Sequence, residues 1–207
     1  MNDINNYETF TEDDFLKPEV MLKLYSYGAF PMAQDKNSEI QWYMPKIRCV
    51  IPIEQFNFPR SLRKFYEKSD FRYTIDNNPL AVIKGCANRE LTWITSKLIN
   101  GYEQLWDLGY LHSVEIYQKN TLVGGLYGIA IKGAFFGESM FSTVPQASKC
   151  ALVKLMEILR KNNFVVLDVQ YITEHLKMFG AIEISLKSYQ EYLFKAYTSD
   201  IDFKFVD

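Results

Sequence analysis

The chain is poor in the residues that build metal sites and disulfide frameworks: of its 207 residues, three are cysteine and two are histidine. Cys49, Cys86 and Cys150 stand far apart, with neither a C-x-x-C pair nor a zinc-ligand spacing among them. Reduced thiols, no metal and no cofactor are therefore the expectation. No run of about 18 apolar residues is present, so no segment qualifies as a membrane-spanning helix. The first residues, MNDINNYETFTEDD, are acidic and polar, unlike a secretory signal, and a soluble cytoplasmic protein is expected. Neither charge sign is in excess, with 23 Lys and Arg against 25 Asp and Glu. That balance argues against indiscriminate nucleic-acid binding, while a local basic stripe remains free to meet a phosphate backbone. Internal repeats and low-complexity tracts are lacking as well.

What the chain does have is apolar and aromatic material, 48% and 15% of its residues, enough to bury a core. PEVMLKLYSYG places Val20, Leu24 and Tyr27 at helical spacing and stops at Gly28, with Pro31 beyond. WYMPKIRCVIP reads as a proline-broken loop leading into a short strand. A domain boundary is expected there, giving a small domain over 1–50 and a larger one over 51–207. PRSLRKFYEKSDFR, NPLAVIKGCA and SKLINGYEQLWDLG read as helices. In the first, Arg60, Arg63, Lys64 and Lys68 share neighbouring helix surface, either as a solvated face or as a phosphate-binding stripe. Then SVEIYQ, TLVGGLYGIAI and AFFGESMFS, joined by KN and KG, form a three-strand meander. A long amphipathic helix, a strand (FVVLDVQ) and a short helix opened by Thr173 and closed by Gly180 follow. The order βββαβα is α+β and fits a GNAT-like mixed sheet with flanking helices, as it fits other α+β layouts.

Two apolar strands carry acids. Strict alternation places Glu138 on one face with Phe136 and Met140, and Asp168 with Val166 and Gln170. Burying an unpaired carboxylate is costly, so such residues are paired, placed at a rim, or used. Two acids and an amide at strand ends make either a structural network or a device that orients an amine nucleophile, and the residues leave both open. Ser139 and Ser142 have no nearby histidine, which leaves a serine triad without support; His112 and His175 read as packing or capping residues. Ahead of the long helix, STVPQASK has no glycine, and Pro145 removes an amide donor. A coenzyme A pyrophosphate would find few backbone amides there, so an acyl donor other than acetyl-CoA is expected.

In combination, TWIT, GYEQLWDLGYLHSVE, LVGGLYGIAI, FFGESMFS, LDVQ and TEHLKMFGAIEI, preceded by GAFPM, WYMPKIR and PRSLRK, resemble the leucyl/phenylalanyl-tRNA-protein transferase family from about Leu24 to Leu193. The resemblance implies a small N-terminal domain on a GNAT-like domain. It implies transfer of Leu or Phe, with Met a further option, from charged tRNA to proteins beginning with Lys or Arg, creating an N-degron for proteolysis. It assigns Glu138, Asp168 and Gln170 to catalysis. Leu126, Phe135, Met140, Leu155, Leu159 and Leu167 would line the pocket for the aminoacyl side chain. Trp93 and Tyr102 would receive the tRNA's terminal adenosine by stacking. Arg60, Arg63, Lys64 and Lys68 would meet tRNA phosphates. The expected partners are aminoacyl-tRNA and an acceptor protein, with no membrane, and the chain is expected to be a monomer. Met32 and Tyr43 stand where many members carry tryptophan, and Val169 where many carry cysteine, which marks a divergent member.

Overall fold

The structure is a computed structural model, and it describes residues 11–204. Residues 1–10 of the expected N-terminal domain and 205–207 of the second lie outside the described residues.

The N-terminal part opens with α1 (Glu12–Phe15), where the Asp14 carboxylate accepts from the Thr11 backbone N–H. Next comes α2 (Pro18–Ser26), which starts with proline in its first turn and is followed by Gly28 at φ +90°. Its inward stripe is Met21 and Tyr25, while Tyr27 is exposed. This corrects the stripe of Val20, Leu24 and Tyr27 by about one residue of rotation. The helix α5 (introduced below) presents Gly101, and a Cβ there would lie 3.0 Å from the Met21 sulfur. Met21 fills that notch, so packing rather than helix periodicity sets the rotation.

The strands β1 (Phe30–Met32) and β2 (Gln41–Tyr43) pair antiparallel as a separate ribbon. They are followed by β3 (Ile47–Pro52), α3 (Arg60–Lys68), β4 (Arg72–Ile75), α4 (Pro79–Ala87) and α5 (Ser96–Asp107). The side chains of Asn78 and Thr95 cap α4 and α5 by accepting the amides of Ala81 and Leu98. The meander is β5 (Leu111–Gln118), β6 (Thr121–Ile131) and β7 (Ala134–Ser142). Lys119 and Asn120, both at positive φ, form the two-residue turn whose twist suits a hairpin. After it come α6 (Ala147–Lys161), β8 (Val166–Gln170), α7 (Glu174–Lys177), β9 (Ile182–Ser185) and α8 (Leu186–Tyr197).

Seven strands form one mixed sheet in the order β4-β5-β6-β7-β8-β3-β9. All neighbours are antiparallel except β7 and β8, which the crossover through α6 makes parallel. One face packs against α2, α4, α5 and α8, with Tyr25, Val50, Tyr102, Tyr127, Phe136 and Tyr189 in a single core cluster. The other packs against α6 with Leu126, Phe135, Leu155, Leu159 and Leu167. The expected boundary between residues 50 and 51 falls inside β3, and α2 shares its core with α5 and β6. Among the described residues, no helix is long and apolar enough to cross a membrane.

Candidate active site

The sheet opens between its two parallel strands. β7 and β8 pair only over Ala134–Phe136 and Val166–Asp168, and β7 then runs on to Ser142 without its neighbour. The gap is widened by a bulge on each strand. Across β6 and β7 the register passes from Tyr127 opposite Ser139 to Gly128 opposite Gly137, leaving Glu138 as the extra residue. Gly128 makes the close approach possible, because a Cβ on it would lie 2.3 Å from the Phe136 carbonyl oxygen. Across β3 and β8, Cys49 faces Gln170 and Val50 faces Asp168, leaving Val169 extra.

These bulges correct the alternation read from the sequence. Met140 packs with the α6 face while Phe136 lies in the other cluster, so the two do not share a side. Gln170 is turned from the Asp168 face to that of Cys49. Beyond the paired segment is a cleft of about 260 Å³. Leu126, Met140, Leu152, Leu155, Leu167 and Leu176 give it an apolar wall, and Glu138 and Gln170 are its polar residues of interest. His175 also faces it, with a pKa lowered by burial.

Glu138 is gripped by two phenols. The Tyr25 hydroxyl donates to Oε1 at 2.8 Å and the Tyr102 hydroxyl to Oε2 at 2.6 Å. Burial raises the carboxyl from 4.5 to about 7, against the lowering effect of those two bonds. Burial beside this carboxylate keeps both phenols neutral, well above the ordinary tyrosine range.

Asp168 is fully buried. Arg48 Nε donates to its Oδ1 at 2.8 Å, Arg48 Nη2 and the Tyr189 hydroxyl donate to Oδ2, and the Gln170 backbone N–H donates to Oδ1 at 2.9 Å. The guanidinium is sandwiched near the rings of Phe30 and Tyr189. Asp168 therefore holds the Gln170 main chain, not its side chain. Gln170 Nε2 is buried in the wall of the cleft without a protein partner.

The structure thus brings Glu138, Gln170, Leu126, Met140, Leu155 and Leu167 together around one cleft. Phe135 and Leu159 are corrected: both are fully buried in the core layer and do not line it. Tyr102 is corrected also, since its ring is wholly buried, set edge-on to Tyr127, and its hydroxyl is spent on Glu138. No face of it is open to a nucleobase. Trp93 is partly exposed and packs against the same core. Arg60, Arg63, Lys64 and Lys68 all lie exposed on α3, away from the cleft lining. Three residues escaped the reading of the sequence: Tyr25, Arg48 and Tyr189. Only Arg48 left a signal, as a lone cation in the apolar strand IRCVIP.

Comparison with known proteins gives concordant results. The family model described as leucyl/phenylalanyl-tRNA protein transferase matches residues 50–194, and that for its N-terminal domain matches residues 15–46. A leucyl/phenylalanyl-tRNA–protein transferase of Salinibacter ruber is 43% identical over 183 residues, covering 88% of this chain and 81% of the relative. Among solved structures, FemX superposes with a TM-score of 0.54 at 10% identity, covering 81% of this chain and 66% of that one. At that identity the likeness is one of fold, and the fold is GNAT-like.

Proposed function

The chain belongs to the leucyl/phenylalanyl-tRNA protein transferase family and is an aminoacyltransferase; from this premise we propose that it moves leucine or phenylalanine, with methionine as a third donor, from charged tRNA to the α-amine of proteins beginning with Lys or Arg. The observation that carries this reading is the cleft at the β7/β8 split, whose apolar wall adjoins one carboxylate and one unpartnered amide. An aliphatic or aromatic side chain gains by leaving water for such a wall. In this reading Leu126, Met140, Leu155 and Leu167 hold the aminoacyl side chain, and Glu138 meets the positive charge of the acceptor's first residue.

The reaction is aminolysis of an ester. The acceptor nitrogen attacks the carbonyl carbon, a C–N bond forms, the bond to the ribose oxygen breaks, and the proton lost by the amine ends on that leaving oxygen. An α-amine has an unperturbed pKa of about 7.7–8.0, so a useful fraction is neutral near pH 7 without a strong base. Most of the acceleration then falls to positioning. Gln170 Nε2 is the side-chain donor in the cleft suited to orient the reacting groups. Asp168 has every oxygen engaged and acts by placing Gln170.

Trp93 is assigned to the terminal adenosine of the tRNA, and Arg60, Arg63, Lys64 and Lys68 to its phosphates. The product is an N-degron, made in the cytoplasm by a monomer. Radiolabelled leucine offered on charged tRNA to a peptide with N-terminal Arg, beside the same peptide with N-terminal Ala, tests the reading. Incorporation confined to the Arg peptide is expected. No incorporation from Leu-, Phe- or Met-tRNA into either peptide overturns it.

A further inference from the structure

Gln170 has a backbone conformation that side-chain-bearing residues rarely adopt, with φ at +58°. It stands at the centre of a three-residue turn closed by the Tyr171 N–H donating to the Val169 carbonyl at 2.7 Å. Its own N–H is taken by Asp168 Oδ1 at 2.9 Å. That second bond is of the kind by which an aspartate stabilises a local turn two residues on. An aspartate carboxyl turns broadly about its last torsion, so aiming one oxygen at a given amide requires outside restraint.

The restraint comes from two distant parts of the chain. Arg48 of β3 meets the carboxylate as a fork through Nε and Nη2, and Tyr189 of α8 donates to Oδ2. Arg48 is 1% exposed, and Asp168 and Tyr189 are fully buried. A buried ion pair is weak as a source of stability, since well-packed apolar groups of similar volume often do as well or better. What this pair does here is fix the direction of one oxygen, and through it the residue whose amide nitrogen waits unpartnered in the cleft wall.

We infer that Arg48 and Tyr189 are positioning residues for the transfer: through the Asp168 carboxylate they hold the turn that presents Gln170 to the cleft. The inference rests on the proposed function for the meaning of that presentation, while the turn itself can be tested without it. Tyr189→Phe removes one hydroxyl and no ring. With Leu-tRNA and an Arg peptide, Tyr189→Phe is expected to lower kcat roughly 10- to 100-fold, while KM for the charged tRNA stays within about twofold. In a Gln170→Ala background, the same substitution is expected to cost nothing further, because its effect passes through Gln170. Amide exchange at Gln170, followed by NMR, is expected to accelerate at least about tenfold in Tyr189→Phe.

An unchanged kcat, a loss that multiplies with that of Gln170→Ala, or unchanged protection of the Gln170 amide each overturns the inference. If Tyr189→Phe does not fold, Arg48→Lys, which keeps the charge and loses the fork, carries the same expectations. Should the unsubstituted protein transfer nothing, the proposed function fails, and the exchange comparison still decides whether these residues hold the turn.

Discussion

Replacing Glu138 by glutamine removes an ionisation that the fold opposes, and the effect has a definite sign and size. The unfolded chain loses this proton near 4.5, whereas burial holds it in the folded protein until about 7. Between those values the folded state binds more protons than the unfolded state, so stability falls as pH rises and the loss is complete above about pH 7. This is opposite in sign to a carboxylate whose pKa is depressed by pairing. The gap corresponds to about 3 kcal/mol in all, of which about 2.5 kcal/mol develops between pH 5 and pH 8. Glutamine keeps the shape and an acceptor for one phenol but does not titrate. Its stability relative to the unsubstituted chain is therefore expected to improve by about 2–3 kcal/mol from pH 5 to pH 8. Urea unfolding followed by tryptophan fluorescence reads this as a relative midpoint shift of about 1 M, for a slope near the upper end of the usual 1–3 kcal/mol/M. Tyr25 and Tyr102 stay neutral across that range, and all other groups are common to both proteins and cancel. Parallel pH profiles for the two proteins would refute the reasoning.

Two further substitutions separate the cleft from the basic helix. Leu155→Ala removes a side chain that is 1% exposed and lines the cleft, and it is expected to cost about 2–5 kcal/mol in urea unfolding. Because the cleft widens, the ratio of kcat/KM for phenylalanyl over leucyl donor should rise; an unchanged ratio would separate Leu155 from donor recognition. Alanine at Arg60, Arg63, Lys64 and Lys68 together should leave Tm unaltered, since all four are exposed. It should raise KM for charged tRNA and flatten its salt dependence by about one unit of logarithmic slope for each phosphate that is no longer neutralised. An unaltered salt slope would remove α3 from the tRNA surface.

How far the sequence carries can be judged strand by strand. The meander was legible because β5, β6 and β7 are apolar runs separated by short Lys-Asn and Lys-Gly turns, and the long helix because its apolar positions recur along Ala147–Lys161. Glu138 and Asp168 were legible as acids out of place in such runs. Strict alternation then misled at Met140 and Gln170, since the bulges at Glu138 and Val169 reverse which side the following residues face. Phe135 and Leu159 were apolar in the right elements, and nothing in their spacing distinguishes a cleft wall from the layer behind it.

The sequence by itself determined the class of fold, the family and the presence of acids that apolar strands do not ordinarily carry, because these follow from local pattern and from motif order. Tertiary structure alone decided what those acids touch. Tyr25 reaches Glu138 across 113 residues of chain, and Arg48 reaches Asp168 across 120. Such partners are chosen by where strands splay and helices dock, and the free energy of a buried carboxylate depends on that arrangement more than on its neighbours in sequence.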